Sequence, residues 1–342
     1  MSEKFPMSIP FGWYCIGYSD ELALGEVKNI HYFNRDMVLF RTETGDLGLV
    51  DPYCPHLGAH LGHGGEVVGE SIRCPFHHWA YDNQGFITDV PYAKQIPPKA
   101  QGKSCLKNYQ LVEKSQVIWA WYHPEDVEPF FDVIDTPEVN DPNWVALDRY
   151  IWTFDSNPQE IAENGIDVAH FKYIHKMDAV PEGESTYEGV IRRTMAEGPR
   201  TIVDENGNET VITSRVETVQ NGAGQKWSLL KGVTERLLLV LVTPITSQRV
   251  EMRFAFTHPR YDENSTEYRA CRQGIASTIG DQSGVEVDIT VWDKKIHLRE
   301  PLLCDGDGPI MRYRKYFAQF YVDGPYGDGE IVKPLKLKSV VG

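Results

Sequence analysis

Short stretches in which apolar and polar residues alternate, separated by turn signals, fill the first part of the chain. Trp13-Tyr-Cys-Ile, Ile30-His-Tyr-Phe, Met37-Val-Leu-Phe-Arg and Gly48-Leu-Val read as strands, with Glu43-Thr-Gly-Asp46 as a hairpin turn. Trp79-Ala-Tyr-Asp-Asn-Gln-Gly-Phe has the form strand–turn–strand, and Val117-Ile-Trp-Ala-Trp-Tyr122 is a last apolar strand. The acidic, proline-bounded Pro124-Glu-Asp-Val-Glu-Pro-Phe-Phe reads as a linker, so residues 1–124 and 125–342 are expected to form two domains. After the linker come a strand near 146–155 and a helix, then strands over Tyr187–Arg193, Thr210–Thr218, Gln225–Leu230, Leu237–Thr243 and Arg249–Thr257. Asn206-Gly-Asn and Asn221-Gly-Ala-Gly supply turns between them. From Asn264 to about Arg299 the period becomes helical. The pattern predicts an α+β chain: an all-β domain, then an antiparallel sheet with helices at its two ends.

The helix that opens the second domain carries the densest chemistry. Asn157 suits its N-cap, Pro158 its first position, and Glu160 would complete a capping box. The segment Glu163-Asn-Gly-Ile-Asp-Val-Ala-His-Phe-Lys-Tyr-Ile-His175 then gathers Asn164, Asp167, His170 and His175. Asp167 and His170 share a helix face, so the carboxylate could bond the imidazole and fix its tautomer. His170 and His175 would be splayed by roughly 140° on a continuous helix. They reach one metal only if the helix ends, or widens by a π-bulge, between them. Two neutral imidazoles and a carboxylate from elsewhere would form the facial triad of a non-haem Fe(II) oxygenase. Ordinary polar residues at the end of a buried helix are the alternative.

The first domain narrows the choice. It delivers Cys54-Pro-His56 and, seventeen residues later, Cys74-Pro-Phe-His77. Each pair sits on a loop stiffened by the proline after its cysteine. Two such loops face to face can hold a [2Fe–2S] cluster, with Cys54 and Cys74 on one iron and His56 and His77 on the other, which is Rieske ligation. A Cys₂His₂ zinc site is the competing reading, but zinc knuckles usually place like ligands close together. His60, His63 and His78 crowd the same loops and are expected beside the cluster or at the surface.

Composition removes other classes. The net charge of −15 argues against nucleic acid and anionic membranes as partners. The longest apolar run, Leu237-Leu-Leu-Val-Leu-Val242, is too short to cross a bilayer and reads as a buried strand. No signal peptide opens the chain, and the six scattered cysteines make no disulfide framework. A cytoplasmic protein without a transmembrane segment is expected. No Gly-x-Gly-x-x-Gly occurs, so a flavin or nicotinamide site belongs to another protein.

Residues 10–125 resemble the Rieske domain of the Rieske non-haem iron oxygenases. Ala59 and Phe76 stand where respiratory Rieske proteins carry an extra cysteine pair. Asn164-x-x-Asp167-x-x-His170-x4-His175 is similar to the iron motif of the same oxygenases, whose catalytic domain has a helix-grip fold. The resemblance implies a mononuclear Fe(II) held by His170, His175 and a late carboxylate. Asp288, in Val285-Glu-Val-Asp-Ile-Thr-Val-Trp292, is the expected third ligand, ahead of Asp281, Glu286 and Asp293. It further implies a head-to-tail homotrimer in which Asp167 bridges His170 to His77 of the next subunit, and a reaction using O2 and electrons from NAD(P)H through a separate ferredoxin or flavin reductase. Gln159-Glu-Ile-Ala-Glu-Asn-Gly-Ile-Asp-Val-Ala-His-Phe resembles the cholesterol 7-desaturases. Pro301-Leu-Leu-Cys-Asp-Gly-Asp-Gly-Pro-Ile and Arg314-Lys-Tyr-Phe-Ala-Gln-Phe-Tyr-Val-Asp resemble the 3-ketosteroid 9α-hydroxylases. Both groups imply a hydrophobic polycyclic substrate, a steroid, that is hydroxylated or desaturated. The alternatives are a ring-hydroxylating oxygenase acting on an aromatic compound, and an electron-transfer protein with a non-catalytic second domain.

Overall fold

The computed structural model describes residues 3–177, 180, 182–203 and 207–327; Asn206 of the expected turn lies outside them. The chain divides into two compact units, with boundaries between Tyr14 and Cys15 and between Phe130 and Phe131. The first fourteen residues therefore belong with the C-terminal unit.

The unit Cys15–Phe130 is built from short strands. In chain order they are β1 (Gly12–Tyr18), β2 (Val27–Tyr32), β3 (Arg35–Arg41), β4 (Leu47–Val50), β5 (Glu66–Val68), β6 (Ser71–Arg73), β7 (Ala80–Tyr81), β8 (Ile87–Asp89), β9 (Leu111–Lys114) and β10 (Val117–Tyr122). They pair as β2-β3-β4, β5-β6-β7-β8 and β1-β10-β9. The expected β3–β4 hairpin closes with Thr42 N–H donating to the Asp46 carbonyl at 2.8 Å. Phe33, read as strand from its apolarity, instead forms a two-residue turn with Asn34; both have φ near +60°. That mirror-image turn matches the twist of a hairpin. Phe33 tolerates it because its buried ring stacks on Tyr122 at 4.8 Å. Val38, Phe40, Val50, Ile72, Tyr81 and Leu106 form a core around Cys54 and Cys74.

The second unit holds β11 (Asp148–Asp155), α1 (Pro158–Glu163), α2 (Ala169–Tyr173), β12 (Glu182–Glu188), β13 (Ile191–Val203), β14 (Glu209–Asn221), β15 (Gln225–Lys231), β16 (Glu235–Thr246), β17 (Arg249–Thr257), α3 (Thr266–Ile279), α4 (Val285–Lys294) and α5 (Ile310–Phe317). Its seven strands make one antiparallel sheet in the order β11-β17-β16-β15-β14-β13-β12. The run read as a strand over Tyr187–Arg193 is the end of one strand, a turn at Gly189, and the start of the next. β16 is buried at every position from Arg236 to Pro244, as its unbroken apolar run requires. Ile161 of α1, Cys271 and Ile275 of α3, and Val285 and Trp292 of α4 pack on Val240, Val242, Met252, Phe254 and Phe256. A Cβ at Gly284 would lie 2.5 Å from the Gly280 nitrogen, so the sharp reversal that aims α4 needs glycine. Among the described residues no helix is long and apolar enough to cross a membrane.

The register sets one row of side chains across all seven strands: Tyr150, Phe254, Val240, Lys226, Gln220, Arg192 and Tyr187. Residues paired this way share a face. The row is apolar at one end and polar at the other.

Asn157 caps α1 through its side chain, which accepts from Gln159 N–H at 3.0 Å. Glu160 makes no capping box. It is buried, 2.5 Å from His297 Nδ1 and 2.6 Å from Lys295 Nζ. Burial raises its pKa, but the bonds and charges of His297 and Lys295 outweigh burial and hold it below the ordinary carboxylate value. A depressed folded pKa contributes stability above the unfolded value, lost as pH falls through the folded one. Glu160→Ala should therefore cost about 3–5 kcal/mol at neutral pH by leaving buried His297 and half-buried Lys295 without their carboxylate partner. Urea unfolding should show this gap closing below about pH 4. A cost under about 1 kcal/mol at pH 7 would mean that the pair adds nothing net.

Candidate functional site

The two cysteine loops share one backbone design. In the first, Cys54 N–H donates to the Ala59 carbonyl at 2.8 Å, and Gly58 N–H donates to the Cys54 carbonyl at 2.9 Å. In the second, Cys74 N–H donates to the Trp79 carbonyl at 2.8 Å, and His78 N–H donates to the Cys74 carbonyl at 3.1 Å. The fifth residue of each loop is left-handed, Gly58 at φ +76° and His78 at φ +60°. His78 is thus consumed by the turn, and His77 is the histidine that turns to its counterpart. The His56 and His77 rings lie 4.9 Å apart, and His56 stacks on Trp79 at 4.4 Å.

Cys54 and Cys74 are buried, whereas both histidines lie nearer the surface. Burial pushes the Cys54 thiol pKa up, and the Tyr81 hydroxyl, 3.1 Å from its sulfur, opposes the rise. His77 Nδ1 is buried with no hydrogen-bond partner. An orphaned ring nitrogen, a second imidazole 4.9 Å away ring to ring, and two buried thiols on the same loops fit a ligand set for a metal cluster. All six cysteines are free thiols. His60 is engaged locally, its Nδ1 accepting from Gly62 N–H at 3.1 Å.

In the second unit the helix does end between the two histidines. α1 stops after Glu163, α2 covers Ala169–Tyr173, and His175 lies beyond it. Ligand atoms of His170, His175 and Asp288 come within 4.8 Å of one another. His175 Nε2 is 3.2 Å from Asp288 Oδ2, and the two imidazole rings are 5.0 Å apart. Asp288 shares a buried stripe of α4 with Val285 and Trp292. Asp281 and Glu286 are exposed, and Asp293 accepts from Asp155 N–H at 2.9 Å.

Backbone carbonyls fix both rings. His175 Nδ1–H donates to the Ser283 carbonyl at 2.8 Å, and His170 Nδ1–H donates to the Asp167 carbonyl. Each contact directs the Nδ1 proton to a carbonyl, which leaves Nε2 unprotonated in the neutral ring. The expected bond from the Asp167 carboxylate to the imidazole is not formed; Oδ1 is 4.0 Å from Nδ1 and accepts from His170 N–H at 3.3 Å instead. The Asp167 side chain is 42% exposed, so its carboxylate remains available outward. Asn164 Nδ2 lies 3.1 Å from His170 Nε2. Burial lowers the His170 pKa; for His175 burial acts the same way, but Asp288 prevails and raises it. A buried carboxylate beside two imidazoles held as acceptors fits a divalent metal.

Sequence reasoning missed Ser283, because a backbone carbonyl leaves no residue signature. It also missed Arg192 and Lys226 in the sheet row. Arg192 is only 2% exposed, and its Nη1 has no hydrogen-bond partner. Burial, and then the charge of Arg192, lower the pKa of Lys226 to about 8 against the pull of Asp288.

Comparison with known proteins agrees with both centres. The Rieske [2Fe-2S] domain family matches residues 12–110, and the 3-ketosteroid 9alpha-hydroxylase C-terminal domain family matches residues 120–321. A 3-ketosteroid-9-alpha-monooxygenase oxygenase component of Rhodococcus rhodochrous is 30% identical over 91% of this chain and 82% of its own. A cholesterol 7-desaturase of Caenorhabditis elegans is 29% identical over 93% of this chain and 78% of its own. Dicamba monooxygenase bound to dicamba shares the fold, with a TM-score of 0.70 at 17% identity over 90% of this chain and 96% of that one. With its N-terminal Rieske domain and its second unit matched along most of their lengths, the chain belongs to the 3-ketosteroid 9α-hydroxylase family of Rieske oxygenases.

Proposed function

We propose that this chain hydroxylates or desaturates a steroid as the terminal component of a monooxygenase supplied with electrons by a separate ferredoxin or flavin reductase. The carrying observation is the convergence of His170, His175 and Asp288 in a chain that also holds a Rieske loop pair. In this reading Cys54, His56, Cys74 and His77 hold the [2Fe–2S] cluster, and His170, His175 and Asp288 hold the iron. When bound, the iron supplies oxygen activation and the cluster supplies stored electrons.

The chain's own residues do the positioning. The carbonyls of Asp167 and Ser283 accept the Nδ1 protons, which assigns the metal-binding role to Nε2 of each imidazole. Asn164 presents its amide beside His170 and limits how that ring can turn.

The assembly is proposed to be a head-to-tail homotrimer. Tyr53, Leu57, Phe76 and Tyr92 are exposed on or near the cysteine loops, which is unusual for free surface. Asp167 borders an open cleft with Leu298, Pro301, Leu302 and Leu303 that could receive such a tip from a second copy. Free cysteines suit the reducing cytoplasm proposed as its location.

The test is a single turnover of anaerobically reduced enzyme with a neutral 3-oxo-4-ene steroid and ¹⁸O₂. Hydroxylation places one labelled oxygen in the product, and desaturation removes two hydrogens without label. Turnover of aromatic acids alone, with every steroid inert, would overturn the steroid assignment.

A further inference from the structure

The polar end of the sheet row is unusual for a cavity meant only for fused hydrocarbon rings. Lys226 projects from β15 and Arg192 from β13, with Gln220 of β14 between them in register. A methyl group built on Gly165 would stand 3.6 Å from Lys226 Nζ and 4.0 Å from Arg192 Nη1. The two cationic ends thus converge on one spot beneath the loop that joins α1 to α2.

No carboxylate among the described residues forms an ion pair with either cation. Arg192 Nε reaches Ser185 Oγ at 3.4 Å, Nη2 reaches the Gly165 carbonyl at 3.5 Å, and its guanidinium lies 5.4 Å from the Tyr313 ring centroid. Its Nη1 stays buried and unbonded. Gln220 cannot neutralise the pair: its oxygen accepts from Tyr313 O–H at 3.0 Å, and its amide donates to the Gly222 carbonyl at 3.1 Å. Asp288 attracts Lys226 without forming an ion pair with it; buried cations lacking a paired carboxylate are costly, and Arg314 of the same unit is paired, with Glu163 at 2.7 Å. The charge most available to complete the set is one that arrives with the ligand.

Resting on the substrate reading above, we propose that the substrate carries a carboxylate, and that Arg192 and Lys226 bind it. A small space beside Lys226, lined also by Gln220, Ile161, Ala162 and Val240, has room for roughly one water molecule. Arginine offers a planar fork and lysine a point charge, a pairing that suits a carboxylate.

The experiment is anaerobic calorimetric titration of the holoenzyme with a 3-oxo steroid bearing a 17-carboxylate, with its methyl ester, and with benzoate. The acid should bind about thirtyfold or more tightly than the ester. Arg192→Met and Lys226→Met should erase that preference while leaving ester affinity within about threefold, as expected of a charge contact. Arg192→Lys and Lys226→Arg, which keep charge and bulk, should retain most of it. Equal affinity for acid and ester would overturn the carboxylate site and leave the steroid reading standing. Benzoate binding that depends on both cations, with neither steroid bound, would support the anion site and overturn the steroid. Failure of all three ligands to bind would overturn both.

Discussion

His175→Ala should strip the mononuclear iron from the protein, leave the visible spectrum of the cluster unchanged, and abolish product formation. The two centres lie on different elements, so one can be lost alone. His175 sits past the end of α2, and nothing in the cysteine loops depends on it for a hydrogen bond. Removing it leaves Asp288 buried on α4 with its nearest basic partner gone, 3.2 Å away in the intact protein. Loss of an outer partner of a metal ligand already costs about 10–100-fold in affinity or activity, so loss of a ligand should exceed a hundredfold. Iron analysis and the cluster absorbance, read together, check this. Asp288→Ala should behave the same way, whereas Asp281→Ala, on an exposed residue, should keep its iron. Full iron content with full turnover in His175→Ala would remove His175 from the site.

What the sequence disclosed follows the range over which each signal acts. Strand alternation, the Asn157 cap and the cysteine–histidine spacings are local, and the structure reproduces them. The helix end between His170 and His175 was also legible, because two ligands five apart cannot share an unbroken helix. Glu160 misled because a capping box competes with partners 135 and 137 residues away, and the distant pair of Lys295 and His297 won. Tyr187–Arg193 misled because Gly189 breaks an apolar-polar alternation that otherwise reads as continuous. α5 went unread as a helix, although Tyr313, Tyr316 and Phe317 bury one face of it. Arg192 and Lys226 carry no local signal at all. They become a pair only when three strands align in register.

Asp167→Asn tests the oligomer and the electron path together. The substitution keeps size and one acceptor but removes the charge. Its intrachain duties survive, since the bond to the His170 ring comes from the Asp167 carbonyl, not from its carboxylate. His170 should therefore stay in place, and both metal centres should load. The exposed carboxylate has no ring to hold within its own subunit. In the proposed trimer its partner is the ring of His77 on the next subunit, whose Nδ1 is buried and whose Nε2 would face outward. A carboxylate accepting from that imidazole N–H makes a short, charge-assisted bond, and an amide makes a weaker one. Stopped-flow mixing of the reduced protein with substrate and oxygen should show the variant's cluster reoxidising more slowly by about two orders of magnitude or more. Sedimentation at matched concentration should show a weakened trimer. Reoxidation at the wild-type rate would reduce Asp167 to a backbone support for His170. A fully active monomer would be more damaging, because it would remove the neighbouring subunit from the electron path altogether.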